Sequence, residues 1–224
     1  MPPQLIVNAD DFGLTKGINR SILSLHDAGV LTSATLMATG PAFDDAVEIA
    51  RQTPSLGVGC HVVLTDGVPA SEPGKIPSLI GPDGQSFRPS LLSFVQALLR
   101  GQIRESDIER EAEAQIGRLQ QAGLAVTHVD THKHTHLFPQ VDRPLLNVLQ
   151  RAGIRAIRNP FEPAFTQQLP HAGFKRRLQI RMLNQFRPAF ERHARIRSGN
   201  IVTTEGTLGV SATGNLNGQH SPKS

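Results

Sequence analysis

The stretch LIVNADDFGLTKGINRSILSLHDAGVLTSATLMA, residues 5–38, decides the fold. It opens on the β-branched run Leu5 to Asn8, which reads as a strand. Ile18, Ile22 and Leu25 then recur at helical spacing, and Gly29 supplies the residue suited to a left-handed helix C-cap. A second apolar run, Thr32 to Ala38, reads as another strand. Strand, helix and strand in close succession make a βα unit and predict a parallel sheet. Outward from here the rhythm continues with a helix over Phe43 to Arg51 and a glycine-interrupted strand over Leu56 to Leu64. Two helical segments follow, the second over Ser106 to Gln121 with Ile108, Ile116 and Leu119 as apolar positions. A strand at Ala125 to Val129, a helix around Leu145 to Arg151, and strands at Ile154 to Ile157 and Ile201 to Thr204 complete about six βα strands. The expected class is α/β, a (β/α) barrel-like fold incomplete at its C-terminus, with the active site at the C-terminal ends of the strands.

The 224 residues, 38% hydrophobic and 19% charged, suit one globular domain, placed at 1–214 with a polar tail at 215–224. No run approaches the roughly 18 apolar residues of a membrane-spanning helix. Cys60 is the single cysteine and no apolar leader precedes Leu5, so a cytoplasmic location is expected, peripheral at the inner membrane as a variant. Charge is uneven: residues 1–150 carry 11 Lys/Arg against 16 Asp/Glu, and residues 151–224 carry 12 against 3. Phe174, Leu178, Met182, Phe186 and Phe190 recur among arginines in that basic part, an amphipathic stripe interrupted at Pro188. Such a stripe either packs on its own domain or touches a membrane surface. Without a recognisable DNA-reading motif, no nucleic-acid partner is expected.

Three motifs carry chemistry. Asn8-Ala9-Asp10-Asp11-Phe12-Gly13 places two carboxylates where the first strand runs out, and adjacent acids there call for a cation or hydrogen-bond donors. A helix N-cap is the competing account. Gly59-Cys60-His61-Val62 embeds a histidine in an apolar strand, which alone fits a hydrogen-bonded core residue. His128-Val129-Asp130-Thr131-His132-Lys133-His134-Thr135-His136 is the strongest signal. If the strand runs through it, His128, Asp130, His132, His134 and His136 all point to one face, which a metal or polar site explains. Not all five can be ligands; some should orient ligands or touch substrate. One carboxylate and two histidines from separate strand ends leave positions open for water and substrate, which supports hydrolysis, and a nearby free carboxylate such as Asp10 can take the proton. The long polar stretch Thr65 to Pro89 reads as a substrate-side loop.

These motifs, with Leu137-Phe138-Pro139 completing the third, resemble the YdjC/ChbG carbohydrate deacetylase family, and within it the hopanoid-associated HpnK branch, over about residues 4–214. The resemblance implies a barrel-like α/β fold and removal of acetyl from an N-acetylated saccharide or glycolipid such as an N-acetylglucosaminyl hopanoid. It implies a divalent metal, typically Mg²⁺ with Zn²⁺ or Mn²⁺ as alternatives, on Asp11, His61 and His132, with Asp10 as general base. His128, Asp130, His134 and His136 are left to support ligands or contact substrate, and a homo-oligomer stays open. Members of the family continue past the equivalent of Gly206 to Gly214 into a helix and a His-Pro-Gly motif whose histidine suits a general acid. Here Asn215 to Ser224 carries no such motif, which leaves the general acid unassigned and activity impaired unless His134 or His136 protonates the leaving amine. The rivals are a metal phosphoesterase and a catalytically impaired binding protein.

Overall fold

The computed structural model describes residues 5–163, 184–196 and 201–208. Six strands form one sheet in chain order: β1 (Asn8–Phe12), β2 (Ser33–Leu36), β3 (Gly57–Val62), β4 (Val129–Thr131), β5 (Ala156–Ile157) and β6 (Val202–Thr203). Every neighbouring pair is parallel. Among the described residues the α-helices are α1 (Lys16–Asp27), α2 (Phe43–Gln52), α3 (Leu91–Leu99), α4 (Glu105–Gln121), α5 (Pro139–Arg151) and α6 (Arg187–Ile196). A parallel sheet whose strands follow one another without skipping is the winding of a barrel wall, and the expected barrel-like α/β class holds. Among the described residues β1 and β6 are its two edges.

The pleat divides each strand between two environments. Ala34, Leu36, Val58, Cys60, Val62 and Val129 lie in one buried apolar cluster with Ile22, Val47, Ile116 and Leu145 from the covering helices. Each such fully buried Leu or Ile contributes about 1.5–3 kcal/mol relative to exposure. The alternate positions Asn8, Asp10, Ser33, Thr35, His61 and Asp130 are polar and bond to one another. This polar face is where the chemistry collects.

Element bounds moved where polarity, not apolarity, forms the strand. The first strand is Asn8–Phe12 and not Leu5 to Asn8, and Leu5 and Ile6 are exposed. The fourth is Val129–Thr131, later than Ala125 to Val129. Helix α5 starts at Pro139, whose missing N–H costs nothing at a helix start, six residues before the expected Leu145. Of the basic stripe, Phe186 packs on Phe138 and Phe190 on Phe161 and His136, so these positions cover their own domain. Phe174, Leu178, Met182 and the tail 215–224 lie outside the described residues. No helix among the described residues is long and apolar enough to cross a membrane.

Candidate metal centre

Adjacent residues in a regular strand point to opposite faces, so Asp10 and Asp11 should part company. They do not, because β1 is bulged. Ala9 pairs with Ala34 but Phe12 pairs with Leu36, giving β1 one extra residue against β2. The extra step falls at Asp10 and Asp11, and Asp11 takes a left-handed φ of 61°. Aspartate tolerates that conformation better than most side chains, and such strained residues gather at functional sites. Gly13 completes the turn at φ 88°, where a Cβ would lie 2.8 Å from Leu36 Cδ1.

The bulge aims Asp11 at two histidines from other strands. His61 Nε2 lies 3.5 Å and His132 Nδ1 3.4 Å from Asp11 Oδ1, and the two nitrogens are 3.4 Å apart. A triangle with those edges has its centre about 2 Å from each corner, the bond length of a divalent cation to imidazole nitrogen or carboxylate oxygen. Asp11 Oδ1 is buried and accepts no hydrogen bond. Two ring nitrogens approach this buried oxygen without closing a hydrogen bond, and a cation at that centre would complete it. The donor set fits a divalent metal. Contact with His132 holds the Asp11 carboxyl below its usual range despite burial, with the charge of His61 adding to it.

His61 is held from behind. Its Nδ1 lies 2.6 Å from Asp130 Oδ1 and 3.3 Å from Thr35 Oγ1. An Nδ1–H donated to Asp130 leaves the Nε2 lone pair facing the triangle, the carboxylate–histidine arrangement that fixes a ligand's tautomer. Burial opposes charge on His61, but the charge of Asp130 and its hydrogen bond, then Asp10 and Asp11, outweigh it and raise the ring's pKa. Asp130 is fully buried, yet His61 and Arg158 keep it well below the usual carboxylate range. Asp10 stands beside the triangle, not on it. Both its oxygens accept from Arg158, at 2.7 and 3.0 Å, and Oδ1 accepts from Asn8 Nδ2 at 2.9 Å.

The histidine run does not present one face. The strand ends at Thr131, a 3₁₀ segment spans His132–Leu137, and Lys133 and His134 have φ of 55° and 52°. His132 alone joins the triangle. His128 lies deeper, its ring against Thr127 Oγ1 at 2.8 Å and Asn8 Oδ1 at 3.3 Å. Only a glycine at position 59 leaves room for it, since a Cβ there would lie 2.7 Å from the ring. His136 is buried with both nitrogens engaged, by Thr131 Oγ1 at 2.7 Å and the Arg158 carbonyl at 3.0 Å. Burial, then the neighbouring His134, pushes its pKa down to about 3. Such a ring braces the turn and offers no proton to a substrate. His134 is less enclosed; burial lowers its pKa, and it feels the charges of Asp10 and Arg158.

The loop over Thr65 to Pro89 is tied down. Glu111 accepts from the amides of Ala70 and Ser71 at 2.8 and 3.0 Å, and Asp107 from the amide and hydroxyl of Ser78 at 3.0 and 2.8 Å. At its start Asp66 pairs with Lys133, which brings the loop to the residue beside His132. Asp66, Val68, Pro82, Phe87 and Pro89 help to line a cleft of about 610 Å³ there. Arg158 and Thr35 also belong to the site, outside the three sequence motifs. Arg158 follows the expected strand Ile154 to Ile157 directly, and Thr35 alternates with Ala34 and Leu36, so strand-end position and alternation were the signals.

Fold and site together define a parallel α/β protein with a carboxylate–dihistidine centre at the ends of its strands. More narrowly, the chain belongs to the family described as YdjC-like protein, whose profile matches residues 4–221. It is 46% identical over 138 residues to a carbohydrate deacetylase of Brevibacillus brevis, covering 62% of this chain and 52% of that one. It is 42% identical over 171 residues to a carbohydrate deacetylase of Geobacillus stearothermophilus, covering 76% and 63%. The matches thus span less than two thirds of those relatives' lengths. A crystal structure from Enterococcus faecalis, described as a cellobiose-phosphate cleavage protein, superposes with a TM-score of 0.64 at 24% identity over 84% of this chain and 64% of that one, which shows the shared fold.

Proposed function

We propose that this chain is a carbohydrate N-deacetylase, hydrolysing the acetamide of an N-acetylated saccharide with a divalent metal held by Asp11, His61 and His132. The observation that carries the reading is the triangle of donor atoms closing on the unpartnered Asp11 Oδ1. Membership of the YdjC-like family and the named activity of the relatives support the choice of substrate. When bound, the metal supplies Lewis-acid polarisation of the acetyl carbonyl and acidifies water. Asp10, oriented by Arg158 and Asn8, takes the proton of the attacking water. The proton taken by Asp10 is returned to the departing nitrogen, and His134 is the histidine that can relay it, because His136 has no free ring nitrogen. Products are acetate and the free amino sugar. The cleft beside Asp66 accommodates the rest of the saccharide.

Mg²⁺ follows from the resemblance, whereas two imidazoles among three ligands also suit Zn²⁺ or Mn²⁺. The finer reading is an N-acetylglucosaminyl hopanoid met at the cytoplasmic membrane surface, supported by the HpnK-like motifs and the basic residues after 150. Liposome co-sedimentation tests it, and no binding to anionic vesicles removes it. For the main reading, acetate release from N-acetylglucosamine oligomers is measured with added Mg²⁺, Mn²⁺ or Zn²⁺ and with EDTA. Release that EDTA abolishes and metal restores is expected. Metal binding without release under every metal would contradict the deacetylase.

A further inference from the structure

Beside the Asp11–His61–His132 triangle lies a second donor set. Asp10, His61 and Asp130 place ligand atoms within 4.8 Å of one another. Two carboxylates and an imidazole attract a cation by the same chemistry as the first set. Here the cation is the guanidinium of Arg158, 13% exposed. It reaches Asp10 through both Nη atoms, at 2.7 and 3.0 Å, and Nη1 also lies 3.0 Å from Asp130 Oδ2. Its main chain is fixed too: the amide donates to Val129 O at 3.0 Å, and the carbonyl accepts from His136 Nε2 at 3.0 Å. Burial opposes its charge, but Asp130 and Asp10 raise its pKa, so it stays a cation.

We infer that Arg158 is a built-in second cation of the centre. It occupies the Asp10–Asp130 pair, confines the metal to Asp11, His61 and His132, and keeps Asp10 out of coordination so that its carboxylate serves water instead of metal. The inference rests on the metal-dependent reading above. The charges support it: the three carboxylates Asp10, Asp11 and Asp130 are balanced by one guanidinium and one divalent ion, with the ligating imidazoles neutral. A planar fork is needed, because a point charge cannot grip both oxygens of Asp10 and reach Asp130 at once. Arg158 is a positioning residue, acting through Asp10.

The test counts Mn²⁺ bound per chain by equilibrium dialysis and metal analysis. The wild-type protein is expected to take one equivalent, lost in Asp11→Ala. Arg158→Met is expected to take two, the second weaker and displaced by added guanidinium, with the first altered less than about tenfold. A folded Arg158→Met protein that binds one equivalent as the wild type does would overturn the inference, as would two equivalents in the wild type. No manganese bound by the wild type would instead remove the metal-dependent reading, a separate result. Because Arg158→Met strands a buried Asp130 charge, Arg158→Lys provides a milder variant. It should bind one equivalent with kcat reduced about tenfold or more and KM little changed; wild-type kcat, or a second equivalent, would overturn the role assigned to the fork.

Discussion

The bulge of β1 and the run from His128 to His136 both supply this centre, by opposite means. In β1 two neighbouring residues, which a regular pleat would separate, are brought to the same mouth by one extra residue and a left-handed Asp11. Across β4 and the turn that follows it, five alternating side chains, which a regular pleat would align, are dispersed. His128 lies against Asn8, Asp130 stands behind His61, His132 reaches the triangle, and His136 braces the Arg158 carbonyl. The difference teaches that period decides which face a side chain takes, whereas depth along the strand and a local break decide what it touches. One irregularity concentrates charge; the other spreads it into a candidate ligand and the groups that would hold one.

The comparison can be broken at its strongest point first. His132→Ala should reduce metal affinity by more than about a hundredfold, beyond the ten- to hundredfold of an outer partner, and abolish acetate release. His128→Ala, four residues earlier on the same run, should keep metal binding within about tenfold; equal losses by calorimetric metal titration would mean that depth does not separate them. Next is the support of His61: Asp130→Asn should weaken metal binding by about ten- to hundredfold. It should also lower the melting temperature, since Arg158 then loses a buried partner. Smaller again is Gly59→Ala, whose Cβ would meet the His128 ring and carbonyl at 2.7 Å and should destabilise by about 1–3 kcal/mol with the metal triangle intact.

Acid gives the mildest effect. His136 titrates near 3 in the fold but near 6.5 when unfolded, so the unfolded chain binds the proton first. Its contribution to stability is complete above about pH 6.5 and is lost progressively as pH falls toward about 3. Melting curves in EDTA should therefore shift down between about pH 7 and pH 5, and less so in His136→Gln. A slope identical in both proteins would show that His136 is not held neutral.

Much of this was legible in residues 5–64 because there the βα rhythm is written in apolar spacing. The parallel pairing of the first strands and the helix read over Phe43 to Arg51, which runs Phe43–Gln52, follow from it. The bounds of β1 and β4 were not legible, since both strands carry polar side chains on their inner face and apolarity marks only the flanks. The fate of the histidine run hinged on Lys133 and His134 turning left-handed, a break that no glycine or proline announces within it. Arg158 was hidden for a related reason: its partners Asp10 and Asp130 are 148 and 28 positions away in sequence, and only the sheet joins them. Distant charge pairing is a property of topology and not of any local pattern.

The most direct test of the account sets the two adjacent carboxylates against each other. Metal bound per chain and acetate released are measured for Asp11→Asn and Asp10→Asn alongside the wild type. The account predicts that Asp11→Asn loses both, while Asp10→Asn keeps its metal and loses about a hundredfold or more in turnover, the size of a general-base contribution. Loss of metal in Asp10→Asn with metal retained in Asp11→Asn would reverse the two roles and contradict it.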